Sequence, residues 1–156
     1  MPTIASTREN IIKRKRAEYS DIVKKFWDNV PDSARSNSEQ MSLRQVLVDI
    51  PRTLPGVTLF QNQRIRDMMA RLLYLYALRN PSTGYVQGFN ELICPFLIVY
   101  LGGYYGGREV RGCQCKGDQH EYADEYFCVE LITDEQLAEV SFFLYNYPIN
   151  VRICPF

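Results

Sequence analysis

The chain has 156 residues, of which 46% are hydrophobic and 23% are charged, and its 18 basic and 18 acidic side chains leave no formal net charge. This length suits one domain with its own hydrophobic core and is too short for two. The zero net charge argues against nucleic acid as a partner, because nucleic-acid-binding domains are typically basic.

The balanced total conceals an uneven distribution of charge along the chain. Residues 1–80 hold 14 basic and 8 acidic side chains, whereas residues 81–156 hold 4 and 10. A surface divided in this way suits docking on a charged protein partner. Ordinary solvated helix faces give the same pattern, and both interpretations stay open.

Five cysteines and the distribution of apolar residues indicate the compartment. The cysteine count is odd and no secretory signal precedes it, so we expect reduced thiols in a cytoplasmic protein. The longest nearly continuous apolar run, residues 92–101, is about half of the ~18–20 residues that cross a bilayer. We therefore predict no membrane insertion.

Helical periodicity dominates the first 80 residues. Residues 19–27 carry an apolar stripe at helical spacing, and residues 43–50 repeat that spacing until Pro51 interrupts it. Residues 65–76 form the clearest amphipathic pattern in the chain. We predict three helices here, with an exposed connection over residues 32–40.

The second half is less regular. Residues 80–84 predict a break, and residues 85–101 predict a helix that is buried on nearly all sides and bent at Pro95. We expect a glycine-rich loop insert at 102–120 and a short helix at 121–131. Because no convincing period-2 alternation and no internal repeat occur, we predict an all-α fold, an irregular array of helices.

These patterns divide the chain into three parts. We predict a flexible N-terminus over residues 1–12, a helical domain over residues 13–135, and an atypical tail over residues 136–156. From residue 141 onward the tail is apolar and aromatic without a periodic charged face. Such a segment needs a partner surface, and little chain remains to supply one.

The sequence carries no recognisable motif of an active site of its own. The glycine-rich run at 102–107 lacks the Lys-Ser/Thr pair of a phosphate-binding loop. Cys113, Cys115 and His120 supply too few ligands for a zinc site. With one histidine in the chain, a Ser/His/Asp arrangement has little support. We predict no metal and no cofactor of the protein's own.

Two planar side chains at predicted helix ends are better candidates. Arg52 and Gln87 each lie beside a residue that we expect to fix the local backbone conformation. This residue is Pro51 for Arg52 and Gly88 for Gln87. Asp49, three residues before Arg52, can accept a hydrogen bond from the guanidinium and fix its direction. Separately, each has an ordinary explanation as a surface arginine and a first-turn polar residue.

Together the two segments resemble the paired motifs of TBC domains. Asp49-x-x-Arg52 is similar to the IxxDxxR motif of that family, with Val46 in place of the isoleucine, and Tyr85-x-Gln87-Gly88 is similar to the YxQG motif. The resemblance covers residues 13–100 well and residues 121–135 more weakly, and is closest to the Gyp1-like branch.

Two features depart from the family pattern. Trp27 is not preceded by an arginine at the spacing of the family's early RxxxW motif. The family's domain also continues with further helices, so we expect residues 13–135 to be a partial TBC domain.

The resemblance implies a Rab GTPase-activating protein that supplies two side chains in trans to a GTP-bound partner. Arg52 would neutralise charge on the transferring phosphoryl group, and Gln87 would orient the attacking water. The implied supporting residues are Asp49 to hold Arg52, Tyr85 and Gly88 to shape the turn, and Asn90 to brace it. GTP and Mg²⁺ would belong to the partner, and any recruitment to endomembranes would come through it.

Two alternatives to this function stay open. In the first hypothesis, the chain is a catalytically incompetent fragment that binds or scaffolds small GTPases. In the second, it is a helical interaction module whose motif match is accidental.

Overall fold

The computed structural model describes residues 5–105 and 132–146, and all regular structure within these two ranges is helical. This confirms the predicted all-α class. The α-helices are α1 (Ala5–Val23), α2 (Asn37–Asp49), α3 (Thr58–Gln61), α4 (Gln63–Arg79), α5 (Phe89–Tyr105) and α6 (Asp134–Asn146). A π-helical turn, Lys24–Asp28, follows α1, and 3-10 turns occupy Asp32–Ala34 and Ile50–Arg52.

Helix α4 is the centre of the fold. It packs against all five other α-helices or their extensions, and its predicted apolar face is buried, with Ile65, Met69, Leu72 and Leu73 fully inaccessible. Burial of such side chains stabilises a fold by about 1.5–3 kcal/mol each. The strongest periodic pattern in the sequence therefore marks the helix around which the others are arranged.

The N-terminal helix begins earlier than the sequence indicated. Residues 5–12 belong to α1 although we expected a flexible segment there, and Ile12 packs against the core. Tyr19, on the predicted apolar stripe, is buried. Residues 7–10 are exposed, and because the stretch from residue 5 to residue 23 contains no proline or glycine, the helix can extend outward from its packed part at the small cost of adding single residues.

The expected exposed connection over residues 32–40 is partly helical and partly buried. Arg35 is 8% exposed; its guanidinium donates to the Phe26 carbonyl at 3.0 Å and to the Tyr74 hydroxyl at 2.6 Å. Ser36 then begins α2 with a capping box. Its hydroxyl accepts from the Glu39 N–H at 3.3 Å, and its own N–H donates to the Glu39 carboxylate at 2.7 Å.

We expect Ser36→Ala to lower the free energy of unfolding by about 1 kcal/mol, because the substitution removes the acceptor for an otherwise unpaired helix N–H. Chemical denaturation followed by circular dichroism measures the change. Ser38→Ala is the matched control, since Ser38 is exposed in the first turn of the same helix. Equal stabilities of the two variants would contradict the prediction.

Helix α5 differs from its predicted form at both ends and along one face. It begins at Phe89 rather than at residue 85, because Gly88 has a φ of 96° that no helix contains. Leu92, Phe96 and Val99 are 56%, 46% and 71% exposed. These three residues, spaced four and three apart, form an exposed apolar stripe. The expectation of burial on nearly all sides was wrong.

The expected loop insert at 102–120 begins later than predicted, because α5 continues through residue 105. Pro95 lies within α5, and the predicted bend there stays a prediction. Residues 106–131, which include the predicted helix at 121–131 and Cys113, Cys115 and His120, lie outside the described residues.

Part of the aromatic tail has a partner surface after all. Residues 134–146 form α6, which packs against α4 and α5 and buries Leu137, Val140, Phe142, Leu144 and Tyr145. The buried Ser141 hydroxyl is hydrogen bonded to the Tyr19 hydroxyl of α1. Arg16 pairs with Glu139 at 2.9 Å, and Arg64 pairs with Asp134 at 2.6 Å. Earlier helices of the same chain supply the surface that the sequence seemed to lack.

Over the described ranges, each helix is too short or too polar to traverse a lipid bilayer.

Candidate functional site

Arg52 is the last residue of the 3-10 turn that continues α2. Pro51 lies at the start of this turn, and the Thr53 N–H closes it on the Ile50 carbonyl at 3.1 Å. The side chain of Arg52 is exposed. Arg52 is thus an exposed residue on a short, proline-restricted segment.

Gln87 lies in the turn that precedes α5, not within the helix. Its side chain is exposed, whereas Tyr85 is 8% exposed. The left-handed backbone of Gly88 redirects the chain into α5, and Phe89 packs edge-on against Tyr76 of α4, with ring centroids 5.4 Å apart. Gln87 therefore lies on a turn between two aromatic residues that are packed into the fold, Tyr85 before it and Phe89 after it.

Three hydrogen bonds join the segment of Arg52 to the segment of Gln87, two of them short and a third, from the Asn90 amide to the Asp49 carbonyl, at 3.5 Å. The Tyr85 hydroxyl donates to the Asp49 carboxylate at 2.8 Å, and the Asn90 amide donates to the Thr53 hydroxyl oxygen at 2.8 Å. Arg52 lies between Asp49 and Thr53 in the chain. Because Gln87 lies between Tyr85 and Asn90 in the same way, the two exposed side chains extend from adjacent segments.

Asp49 has a hydrogen-bond partner that the sequence did not indicate. Its carboxylate accepts from Tyr85, and no hydrogen bond or ion pair among the described residues joins it to Arg52. Burial, followed by the contact with Asp49, raises the pKa of Tyr85, so the hydroxyl keeps its proton at neutral pH and stays the donor. The orienting effect of Asp49 on Arg52 stays a prediction.

Thr53 is the residue of this site that sequence reasoning passed over. It is fully buried, and its hydroxyl donates to the Asp49 carbonyl at 3.2 Å while accepting from Asn90. A single buried polar residue beside a proline gives no periodic signal. Its position directly after Arg52 was the one available indication.

The backbone after Thr53 is also constrained. Leu54 has a φ of 39°, in the left-handed region that residues other than glycine seldom occupy. Its carbonyl accepts from the Val57 N–H at 2.9 Å and from the Gln61 side chain at 3.3 Å. Such conformations persist only where surrounding contacts enforce them, and they are frequent at functional sites.

The chemistry available at this site is limited to hydrogen bonding and charge. A guanidinium and a carboxamide are not nucleophiles, and both recognise oxygen atoms through fixed planar geometry. Among the described residues, no three His, Cys, Asp or Glu side chains are grouped closely enough to hold a metal ion. An exposed pair of this kind suits a ligand or protein that brings its own charged oxygens.

Comparisons with known proteins agree with the fold and the motifs. Residues 3–115 match the family model of the Rab-GTPase-TBC domain. TBC1 domain family member 22B of Homo sapiens is 36% identical over 104 residues, 67% of this chain and 20% of that protein. GTPase-activating protein gyp1 of Schizosaccharomyces pombe is 38% identical over 109 residues, 70% of this chain and 21% of that protein.

A solved structure, that of the Ypt/Rab-GAP domain of Gyp1p, superposes with a TM-score of 0.66 at 28% sequence identity. The superposition covers 93% of this chain and 40% of that domain.

The chain therefore belongs to the Rab-GTPase-TBC domain family. Its similarity to the gyp1 proteins and to the Gyp1p domain confirms the resemblance inferred from the motifs. The matched region spans about a fifth of the length of these curated relatives.

Proposed function

We propose that this chain stimulates GTP hydrolysis by Rab-family small GTPases, with Arg52 and Gln87 inserted into the partner's active site. The observation that carries the proposal is the pair of hydrogen bonds, Asp49 to Tyr85 and Thr53 to Asn90, that joins the segments of these two exposed residues. Membership of the Rab-GTPase-TBC family supports the choice of partner.

In this mechanism the partner contributes GTP and Mg²⁺, and the chain contributes no covalent step. Negative charge spreads over the phosphoryl oxygens in the transition state, and a guanidinium supplied in trans stabilises it. Gln87 holds the attacking water in line, in place of the partner's own glutamine. Both effects depend on positioning, so they require the rigid turns that carry the two side chains.

The surroundings of Gln87 support the roles assigned to Tyr85, Gly88 and Asn90, whereas the role of Asp49 toward Arg52 has no hydrogen bond or ion pair among the described residues behind it. Asp49, Tyr85 and Asn90 form one hydrogen-bonded cluster, and Gly88 supplies the backbone conformation that ends the turn. Recruitment to endomembranes would follow from the location of the GTP-bound partner, which fits a role in vesicle trafficking.

A second candidate function is binding or scaffolding of small GTPases without stimulation. The observation that favours it is the stripe of Leu92, Phe96 and Val99, whose exposure leaves apolar surface on the helix that follows Gln87. In this function the chain would bind the GTPase through its own helices without aligning Arg52 and Gln87 on the phosphoryl group.

Single-turnover GTP hydrolysis by a panel of Rab proteins, with and without the chain, distinguishes the two functions. We expect stimulation by the wild-type chain and a loss of about 10²-fold or more for Gln87→Ala, because the water is then unaligned. Gln45→Ala is the matched control, since Gln45 is an exposed glutamine on α2. Binding without stimulation across the panel would establish the scaffolding function instead.

A further inference from the structure

Thr53 stands out among the buried polar residues of the described chain. It is 0% exposed and directly follows Arg52. A hydroxyl buried without partners is strongly unfavourable, so a buried threonine is retained where its hydrogen bonds are made. The function proposed above uses Thr53 only as an attachment point, and it belongs to neither of the two motifs.

Every polar group of Thr53 has a partner, and the partners lie on four different elements. Its N–H donates to the Ile50 carbonyl of the 3-10 turn at 3.1 Å, and its hydroxyl donates to the Asp49 carbonyl at the end of α2 at 3.2 Å. Its carbonyl accepts from Gln61 of α3 at 3.2 Å, and its hydroxyl oxygen accepts from Asn90 of α5 at 2.8 Å. Thr53, the residue after Arg52, is therefore held by hydrogen bonds to the 3-10 turn, α2, α3 and α5.

The bond to Asn90 has a specific geometric consequence. Without this bond, the remaining hydrogen bonds between the two segments, from the Tyr85 hydroxyl at 2.8 Å and from the Asn90 amide at 3.5 Å, would both end on Asp49, and the Gln87 turn could pivot about that one residue relative to the Arg52 turn. The second attachment, from Asn90 to Thr53, lies on the other side of both Arg52 and Gln87 in the chain. Two separated attachments remove the pivot and define the relative direction of the two segments.

Asn90 is itself well placed for this attachment. It is 5% exposed in the first turn of α5. Its side-chain oxygen accepts from the Tyr85 hydroxyl at 3.4 Å, and its side-chain NH₂ group also donates to the Asp49 backbone carbonyl at 3.5 Å. The amide therefore has little freedom to rotate away from Thr53. The Thr53 hydroxyl is the acceptor that completes the cluster.

We infer that Thr53 is a positioning residue that sets the direction of Arg52 relative to Gln87. The inference rests on the proposed function. Thr53 contacts no atom of the partner in this scheme, and its effect passes through the backbone to Arg52. Its loss should therefore lower the rate of the bound complex and leave the affinity for the GTPase unchanged.

Single-turnover hydrolysis at increasing concentrations of the 156-residue chain separates these two quantities, with a Rab protein that the wild-type chain stimulates. We expect Thr53→Val to lower the maximal rate by about 10–10²-fold, since misplacement by about 1 Å has effects of this size. The half-saturating concentration should stay within about threefold of wild type. Thr53→Ser, which keeps the hydroxyl, should retain the wild-type maximal rate.

A double variant distinguishes the positioning role from a general loss of structure, which would lower the rate further in any background. In an Arg52→Ala background, Thr53→Val should cause no additional loss, because the side chain that it positions is already absent. Circular dichroism checks that each variant is folded, and Thr53→Ala replaces Thr53→Val if the valine variant does not fold.

Three outcomes overturn the inference while leaving the proposed function intact: an unchanged maximal rate for Thr53→Val, a parallel loss of rate and binding, or an additional loss in the Arg52→Ala background. A wild-type chain that stimulates no GTPase in the panel overturns the proposed function and this inference together.

Discussion

Replacing Arg52 with alanine is expected to lower stimulated GTP hydrolysis by about 10³-fold or more, which is the size of effect that an arginine supplied in trans produces. The exposed guanidinium extends from a proline-restricted turn, and in the proposed complex it lies against phosphoryl oxygens in a water-excluded interface. Single-turnover hydrolysis by a responsive Rab protein measures the change. Affinity for the GTP-bound partner should change far less than the rate.

Two control variants make the Arg52 result specific. Arg44→Ala removes another exposed arginine from the same helical segment and should leave stimulation within about twofold of wild type, as expected for a surface side chain distant from the chemistry. Arg52→Lys keeps a positive charge but loses the planar fork, so most of the stimulation should be lost. Full activity of Arg52→Ala would eliminate the finger mechanism.

Phe142→Ala is expected to lower the free energy of unfolding by about 3–5 kcal/mol, the usual cost of emptying an aromatic core position. Phe142 is 2% exposed on α6, and its ring lies 6.1 Å from that of Tyr19 and 5.1 Å from that of Phe143. Urea unfolding followed by circular dichroism measures the difference. A loss of this size would establish that α6 is part of the core.

Phe96→Ala is the matched control for the core prediction. Phe96 is 46% exposed on α5, so its removal should change the free energy of unfolding by about 0.5 kcal/mol or less. If Phe142→Ala leaves too little folded protein to measure, Phe142→Leu should give a smaller loss, because leucine retains much of the apolar volume. Equal effects of the alanine variants at positions 96 and 142 would show that α6 does not pack as described.

The sequence was most informative where local pattern and final environment coincide. The periodicity of residues 65–76 identified five buried residues of α4, although Ala70, Tyr74, Leu75 and Ala77 outside the predicted face are buried as well. The Pro51 break correctly marked the end of the α-helix before Arg52. It was least informative for residues 134–146, where the apolar and aromatic run from Val140 to Tyr145, interrupted by Ser141, obscures which side of the helix is covered. Exposure of Leu92, Phe96 and Val99 on α5 was missed for the same reason, since an apolar run does not state which side is covered.

The family, the all-α class and the identity of the two candidate finger residues follow from the sequence by itself, because periodicity and short motifs are local properties. Their roles in hydrolysis stay predictions. Only the tertiary structure decided that Thr53 meets Asn90 and that Asp49 meets Tyr85, across separations of 37 and 36 residues. It likewise decided that α6 returns to α1, 122 residues away at the contact of Tyr19 with Ser141. Such pairings depend on how helices pack after they form, and no local pattern encodes which buried hydroxyl will face which amide.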